Sequence, residues 1–574
     1  MRAPVSRVKP AFYSFGLGLF INEVSVQALL SGIRPWVTLT LLCCALYLPS
    51  MATLPVMDRD EARFVQATRQ MAESNDYIVV RFQDELRAKK PVGIYWLQAA
   101  AVNLFSHPAD TAAWPYRVPS FVAALATVLL VFRFGSSLFD RRTGFVGALV
   151  MASSLLLFSE SHLAKTDAVL LALTTAVMGG MGMVYMQSCG GKAAPSWVSP
   201  ALWLAMGAAI LVKGPVTPMI AILASMTLCL ADRKASWLHG LRPVMGVVLS
   251  IAMVAPWMAA VSAETEGTFI TRAIQEDLIP KLLGGQESHG APPGYYLLLV
   301  GITLWPGSLF LWPAVWRSWK ERALPGLRFL LAWTIPAWLV MELIPTKLPH
   351  YTLPLYPPLA LMIATTVLAV RDSTRVDLSR LAPMLWYGVW SLLGLGLAGA
   401  AIALPIYLEG ELLLWSLLPA VALGGVMALV WRSIMRQHFL PALVFAMAGA
   451  AVAFTLIMNT VLPNLKSLWI SQEIASAIDR YAPGKRLAAA GYHEPSLVFL
   501  CGTETLLQDG AGAAHSLMQG TAGAAAIEEK ELPAFLSVAS RQPDIQEATT
   551  ISGLNYSRGK PVVLHIFIKG KIPE

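Results

Sequence analysis

The sequence predicts an all-α membrane protein that crosses the bilayer about thirteen times and ends in a small soluble α/β domain. Hydrophobic residues make up 56% of the chain and charged residues only 14%, whereas about a quarter of the residues in a soluble protein are charged. Charge-poor runs of roughly twenty residues, long enough to cross a bilayer, recur through most of the chain. After residue 462 long apolar runs end and charged residues are frequent, and strand-like and helix-like stretches there are short.

The predicted crossings are uncharged or nearly uncharged runs, several of them short. They lie at 36–56, 115–138, 144–160, 168–187, 197–212, 215–231, 243–261, 293–314, 327–343, 351–370, 384–406, 412–431 and 440–460. A further apolar run, 92–105, is too short to span comfortably. It predicts an interfacial helix that lies on the membrane.

Loop charges favour an orientation with the N-terminus inside. Most Lys and Arg residues then lie in inner loops, and the short outer loops carry only Lys165, Lys213 and Lys347. Cytoplasmic loops are enriched in Lys and Arg, so these inner loops account for the net charge of +8. We therefore expect membrane lipids, and no nucleic acid, among the partners.

This orientation divides the chain into three parts. Residues 1–35 form a cytoplasmic N-terminal segment, and 36–461 form a transmembrane domain with large outer loops at 56–114 and 262–292. Residues 462–574 form the outer α/β domain, with strand-like runs at 486–492, 497–501 and 561–569 and a helix-like stretch at 474–481.

The first outer loop opens with three acids, Asp58, Asp60 and Glu61. From Asp60 onward, the apolar residues fall on one face at helical spacing, which predicts an amphipathic helix on the membrane. Acids stabilise a helix N-terminus, and capping accounts for one or two of the three. Asp60 and Glu61 are therefore candidates for catalysis.

Cations at the outer surface predict a phosphate site. Ionisable residues that interrupt apolar sequence in a membrane protein are functional candidates, although single lysines also serve as anchors that reach the interface. A basic pocket at the surface suits the phosphate of a lipid. The candidates are Lys89, Lys90, Lys165, Lys213, Lys281 and Lys347, with Asp167 beside them. In the second outer loop, His289 is a site candidate, and a structural or solvated role is its equal alternative.

Five short motifs together resemble one family. It is the membrane glycosyltransferase family that includes the bacterial aminoarabinose transferase acting on lipid A and, more distantly, the protein O-mannosyltransferases. The motifs follow the family order over residues 36–370 and are Asp60-Glu61-Ala62-Arg63, Lys90-Pro91, Lys165-Thr166-Asp167-Ala168, Lys213-Gly214-Pro215 and Lys347-Leu348-Pro349-His350-Tyr351-Thr352-Leu353-Pro354.

The resemblance implies a C-type glycosyltransferase fold and an inverting transfer from a polyprenyl-phosphate sugar. It places the protein in the bacterial inner membrane, with the site and the C-terminal domain in the periplasm. The residue that matches Asp60 is essential in the family, and the lysine that matches Lys90 contacts the donor phosphate. The residues that match Asp167 and Lys213 line the site, so Asp167 joins Asp60 and Glu61 as a catalytic candidate.

One position departs from the family. Aminoarabinose transferases have a metal-ligating Glu where this chain has Lys89, and a protonated lysine cannot ligate a metal. We therefore expect no required divalent metal, even if His289 matches the second family ligand. The open alternative is that Asp84, Glu85 or Glu287 takes over ligation.

The expected acceptor is lipid A or another part of lipopolysaccharide, with a protein hydroxyl as the second candidate. A transporter of lipid-linked sugars is the competing class, although transporters place polar residues near the bilayer midplane. An assembly protein would not need the charged cluster. The sequence leaves the sugar open.

Overall fold

The computed structural model describes residues 27–283, 290–372, 381–540 and 542–570. It is mostly helical, as predicted. The α-helices are Arg34–Tyr47, Asp60–Ser74, Gly93–Phe105, Trp114–Leu138, Arg141–Ser153, Leu155–Ser161, Asp167–Ser188, Val198–Lys213, Val216–Asp232, Pro243–Glu264, Thr268–Arg272, Ile279–Leu283, Tyr295–Thr303, Leu311–Lys320, Pro325–Leu343, Tyr356–Asp372, Leu381–Glu409, Leu417–Met435, Phe439–Leu456, Ile470–Tyr481, Pro495–Cys501, Gly510–Gln519 and Leu532–Ala539.

The helices confirm a multi-pass membrane protein but not the expected number of crossings. Within the described ranges, 8 helices are long and apolar enough to span, or up to 10 if two bent helix pairs each count as one span. Two shorter apolar helices, Val198–Lys213 and Val216–Asp232, lie beside them. The first predicted crossing, 36–56, contains a helix of only 14 residues, Arg34–Tyr47.

Two predicted crossings are broken in the structure. The run 144–160 bends by 64° after Ser153, and the run 293–314 bends by 118° after Thr303. Pro306 lacks the N–H that a continuous helix requires. The two breaks meet, because the Leu155 N–H donates to the Trp305 carbonyl at 2.9 Å. Backbone groups freed at one break are thus satisfied by the other, as burial in a membrane demands.

The run 92–105 contains a separate helix, Gly93–Phe105. One face buries Ile94 and Tyr95 against the protein, while Trp96 and Leu104 are exposed. An apolar exposed face suits a helix that lies on a membrane, and its depth in the bilayer stays a prediction.

The C-terminal part forms a sheet of five strands: β3 (Leu487–Ala490), β4 (Leu506–Gln508), β5 (Ala524–Glu528), β6 (Ile545–Asn555) and β7 (Lys560–Lys569). Their order across the sheet is β4-β3-β5-β7-β6. Its inner strands β3 and β5 are rich in alanine and buried on both faces, which allows helices to pack closely on either side. Strands β3, β4 and β5 are parallel, and β7 joins antiparallel to β5 and β6. The first outer loop adds a separate hairpin of β1 (Arg81–Phe82) and β2 (Glu85–Leu86).

The predicted elements of this sheet are only partly right. The runs 486–492 and 561–569 contain strands β3 and β7, and the stretch 474–481 lies in the helix Ile470–Tyr481. The predicted strand 497–501 is wrong, because these residues belong to the helix Pro495–Cys501. Proline favours the first turn of a helix. Tertiary packing of the buried Leu497, Val498 and Phe499 overrides their strand propensity.

Candidate active site

A cavity of about 310 Å³ lies where the first outer loop meets the ends of several membrane helices. Its wall includes the start of the helix Asp60–Ser74, the segment before Asp167–Ser188, the end of Val198–Lys213 and the segment Thr346–Tyr351. Eight of the predicted site residues line it, namely Asp60, Glu61, Asp167, Lys89, Lys90, Lys165, Lys213 and Lys281.

Asp60 is exposed to the cavity at the first position of its helix. Desolvation opposes ionisation of this carboxyl, but the charges of Lys165 and His350 outweigh it and lower its pKa. Asp60 is therefore a carboxylate at neutral pH. The preceding residue, Arg59, has φ 62° and ψ −82°, a backbone conformation that residues with a Cβ rarely adopt.

Glu61 has a different environment from its neighbour. It is only 1% exposed, and each of its carboxylate oxygens accepts two hydrogen bonds. Oε1 accepts from Arg117 Nε at 2.8 Å and Ala164 N at 2.8 Å, and Oε2 accepts from Arg117 Nη2 at 2.9 Å and Met57 N at 2.9 Å. These bonds use the carboxylate to hold the loop, which is a structural role, and a catalytic role of Glu61 stays a prediction.

Acids and bases alternate at the inner end of the cavity. Lys213 Nζ donates to Asp167 Oδ1 at 2.5 Å, and Lys165 Nζ donates to Glu160 Oε1 at 2.9 Å. His350 lies between the two pairs, 3.8 Å from Asp167 Oδ2 and 3.9 Å from Glu160 Oε1. Burial opposes the charge of Lys165, but Glu160, Asp167 and Asp60 outweigh it and raise the pKa of its ammonium. The pairs keep several charges ionised in a largely buried place.

A second group of cations surrounds Asp277. Lys281 donates to one oxygen of this carboxylate, and Lys90 Nζ lies 3.5 Å from the other. Burial and the nearby Lys281 charge lower the pKa of Lys90 to about 7, and Asp277 opposes that shift. An anion bound here would be desolvated and would meet more than one ammonium group, which makes this a candidate phosphate site.

Lys347 does not belong to the described lining of the cavity. Its ammonium is 3% exposed and donates to the carbonyls of Ala291 at 2.9 Å and Ile344 at 2.7 Å. Lys347 therefore ties the second outer loop to the segment before the helix Tyr356–Asp372. Its ammonium thus donates to two backbone carbonyls, and phosphate binding by Lys347 stays a prediction.

The described residues do not offer a metal site. They contain no group of three or more His, Cys, Asp or Glu side chains that could hold a metal ion, and Lys89 lies in the cavity wall where the family has a ligand. His289 and Glu287 fall outside the described residues. Because these two candidate ligands are not described, independence from a divalent metal stays a prediction.

Three site residues were missed as candidates from the sequence. Glu160 ends a run predicted to cross the membrane, His350 lies in a motif valued for its lysine, and Asp277 is one of several acids in the second outer loop. An acid at the end of an apolar run is itself a signal of function, and that signal at Glu160 was available.

The C-terminal domain reaches the edge of this cavity. The Asp58 N–H donates to Tyr556 Oη at 2.5 Å, and Asp58 Oδ1 accepts from Ser496 N at 3.0 Å. Burial raises the pKa of the Asp58 carboxyl to about 6, Glu494 adds to the shift, and the Ser496 hydrogen bonds oppose it. The residue two positions before Asp60 is thus held by a separate part of the chain.

Comparison with known proteins finds relatives in both sequence and fold. Residues 89–259 match a family described as dolichyl-phosphate-mannose-protein mannosyltransferase. The chain is 26% identical over 415 residues to the undecaprenyl phosphate-α-4-amino-4-deoxy-L-arabinose arabinosyl transferase 2 of Proteus mirabilis, covering 71% of this chain and 72% of the relative. It is 28% identical over 360 residues to the corresponding transferase of Pectobacterium carotovorum, covering 61% of this chain and 63% of that relative, which is less than two thirds of its length.

Two solved structures share the fold. The crystal structure of ArnT from Cupriavidus metallidurans bound to undecaprenyl phosphate superposes with a TM-score of 0.74 at 17% identity, covering 93% of this chain and 98% of that one. The apo state of the same protein gives a TM-score of 0.71 at 18% identity over the same shares.

Proposed function

We propose that this chain, a membrane glycosyltransferase of the lipid A aminoarabinose transferase and protein mannosyltransferase type, moves a sugar from a polyprenyl-phosphate carrier to lipid A or another part of lipopolysaccharide. The transfer inverts the configuration at the anomeric carbon of the sugar. It takes place on the periplasmic face of the bacterial inner membrane. One observation carries the proposal: a single cavity brings the Asp60 carboxylate together with Lys90, Lys213 and Lys281.

In this proposal the cations hold the donor. A polyprenyl phosphate is the leaving group, and negative charge grows on its oxygens as the bond to the sugar breaks. Lys90 and Lys281 can share that charge with Lys213, and preorganised cations aimed at a developing charge stabilise a transition state strongly. Lys89 adds a further ammonium to the same wall.

Asp60 acts on the acceptor side. Its lowered pKa keeps it ionised at neutral pH, so it can accept the proton of an acceptor hydroxyl as the oxygen attacks the sugar. Asp167 orients the reaction indirectly, because it holds the Lys213 ammonium at 2.5 Å and lies beside His350.

We propose that the reaction needs no divalent metal. A metal would supply positive charge at the leaving phosphate, and the lysines of the cavity supply it here. A cation held next to Lys89 would also be repelled at short range. The described residues offer no competing ligand set.

The shared cavity supports an enzyme over a transporter of lipid-linked sugars. Transporters bind their substrates near the bilayer midplane, between repeats. Here the charged residues line one cavity between the outer loop and the ends of helices. A protein hydroxyl is the second candidate acceptor, supported by the mannosyltransferase family match at residues 89–259.

Mass spectrometry of lipid A and core saccharide tests the proposal. A deletion strain should lose one defined sugar, and the wild-type gene should restore it. Asp60→Asn expressed at the same level should not. If the lipopolysaccharide is unchanged and a membrane glycoprotein loses a sugar instead, the acceptor is protein. If the deletion depletes polyprenyl-linked sugar from the outer leaflet before any acceptor loses its sugar, the chain is a transporter.

A further inference from the structure

The loop that carries Asp60 is held from two sides. On the inner side, the Glu61 carboxylate is bonded to Arg117 and to the Met57 and Ala164 N–H groups. On the outer side, Asp58 is bonded to the C-terminal domain. Asp60 lies between these two attachments and is itself exposed to the cavity.

The backbone between the attachments is in an unfavourable conformation. Arg59 has φ 62° and ψ −82° although it carries a Cβ. Such conformations persist only where the surrounding structure fixes them on both sides, and they concentrate at functional sites. Glu61 fixes the residues after Arg59, and the contacts of Asp58 fix the residue before it.

The outer attachment comes from two separate parts of the C-terminal domain. Tyr556 directly follows strand β6, at the tip of the β6–β7 hairpin, and its hydroxyl accepts the Asp58 N–H at 2.5 Å. Ser496 lies in the first turn of the helix Pro495–Cys501, and its N–H donates to Asp58 Oδ1 at 3.0 Å. A helix N-terminus favours a carboxylate at this position.

The hairpin and the helix are locked to each other. The buried Glu494 accepts a hydrogen bond from Asn555 Nδ2 at 2.9 Å and lies 3.6 Å from Arg558 Nε. Because Asn555 precedes Tyr556 and Glu494 precedes the helix, this contact fixes the two groups that hold Asp58.

The domain is also docked along the helix Asp60–Ser74. Arg69 Nη1 donates to the Phe499 carbonyl at 2.6 Å, and Gln66 Nε2 donates to Thr503 Oγ1 at 2.9 Å. The Phe499 ring packs edge-on against Tyr116 at 5.5 Å. Polar and aromatic contacts over several turns give the domain one orientation relative to the loop, so its hold on Asp58 is rigid.

We propose that the C-terminal α/β domain is a positioning element for Asp60, with Asp58 and Tyr556 as its positioning residues. This inference rests on the proposed function, in which Asp60 acts on the acceptor. No described residue of this domain lines the cavity, and Lys90, Lys213 and Lys281 belong to other elements. Loss of the hydroxyl of Tyr556 should therefore reduce turnover and leave phosphate binding intact.

The first test is Tyr556→Phe in the full-length protein. Two measurements are made: binding of undecaprenyl phosphate to the purified protein, and the sugar-bearing fraction of whichever acceptor is unmodified in the deletion strain. We expect transfer to fall roughly tenfold or more, as small misplacements of catalytic groups do, with unchanged binding and melting temperature. Tyr481→Phe is the matched control, since it removes a hydroxyl from the same domain outside the contacts of Asp58, and it should behave as wild type. Equal transfer by Tyr556→Phe and wild type would overturn the inference.

A double variant separates positioning from general structural damage. If Tyr556 acts through Asp60, adding Tyr556→Phe to Asp60→Asn should not lower the residual transfer further at raised expression. A merely structural role would make the two losses multiply, and this result would overturn the inference.

The same experiments distinguish this inference from the proposed function. Full transfer by Asp60→Asn alone would refute the role of Asp60, and with it the positioning. Loss of transfer in Asp60→Asn, but not in Tyr556→Phe, refutes only the positioning. If Tyr556→Phe does not fold, Asp58→Ala removes the bond to Ser496 instead and should show the same loss of transfer with unchanged phosphate binding.

Discussion

Arg117 donates two parallel hydrogen bonds to the Glu61 carboxylate, at 2.8 and 2.9 Å, and both side chains are essentially inaccessible to solvent. Arg117 also donates to the carbonyls of Met51, Leu54 and Pro55. The pair therefore joins the helix Trp114–Leu138 to the turn that leads into Asp60.

Breaking this pair should destabilise the protein. Arg117→Met leaves a buried carboxylate without its partner, which typically costs about 3–5 kcal/mol. We expect a clearly lowered melting temperature in detergent, with reduced yield. Arg81→Met, which removes an exposed arginine from the first outer loop, should melt as wild type. The double variant with Glu61→Gln should be more stable than Arg117→Met alone. A double variant that is less stable than either single change would contradict an uncompensated charge as the cause.

Asp60→Asn keeps the shape of the side chain and removes its charge. Because a positioned base contributes roughly a hundredfold or more, transfer should fall by at least that factor, while undecaprenyl phosphate still binds. Asp110→Asn is the control, since Asp110 is an exposed acid in the same loop and lies outside the described lining of the cavity. Near wild-type transfer by Asp60→Asn would move the role to another group.

Donor affinity should depend on pH through Lys90. Burial and Lys281 lower its pKa to about 7, so the ammonium is present below this value and is lost as the pH rises through it. Since binding of an anion favours the protonated form, affinity should fall between pH 6 and 8.5. Polyprenyl phosphate methyl ester is the suitable ligand, because the charge of this diester is constant over the range.

Two variants check that assignment. Lys90→Arg should bind with little pH dependence, because a guanidinium stays charged. Lys281→Ala removes a repelling charge and should move the pH dependence to higher values, although overall affinity decreases. If the wild-type profile is flat, or if Lys281→Ala leaves its midpoint unchanged, Lys90 is not the group that titrates.

Chelation should not inactivate the enzyme. We expect turnover to survive thorough EDTA treatment and to show no stimulation by zinc, magnesium or manganese. Lys89→Glu should lower activity in metal-free buffer, because it removes positive charge from the cavity wall. Loss of wild-type activity on chelation, with recovery by one specific metal, would show that other residues ligate an ion.

Short motifs predicted much of the site because they sit where loops meet helices. The lysines of Lys90-Pro91 and Lys213-Gly214-Pro215 line the cavity, and charge counting had placed both outside. Lys347 lies outside the described lining of the cavity and donates to backbone carbonyls at a loop junction, which no local pattern reveals.

Hydropathy was less informative about where the chain bends within a predicted crossing. The run 293–314 is apolar throughout, yet it turns by 118°. Hydropathy does not reveal this turn, because a helix and a sharp bend bury similar residues. Pro306 was the local sign of that break. The contact of Asp58 with Tyr556 spans 498 positions, and only tertiary packing determines such a pairing.

That long separation also has a consequence during translation. Chains emerge at roughly 5–20 residues per second, so Asp58 is synthesised long before Tyr556, whose hydroxyl accepts its N–H. Every helix that spans the membrane is complete by then. We expect the nascent protein to lack transfer activity until the β6–β7 hairpin has left the ribosome. A stalled or truncated product would then occupy the membrane without consuming the cell's supply of lipid-linked sugar.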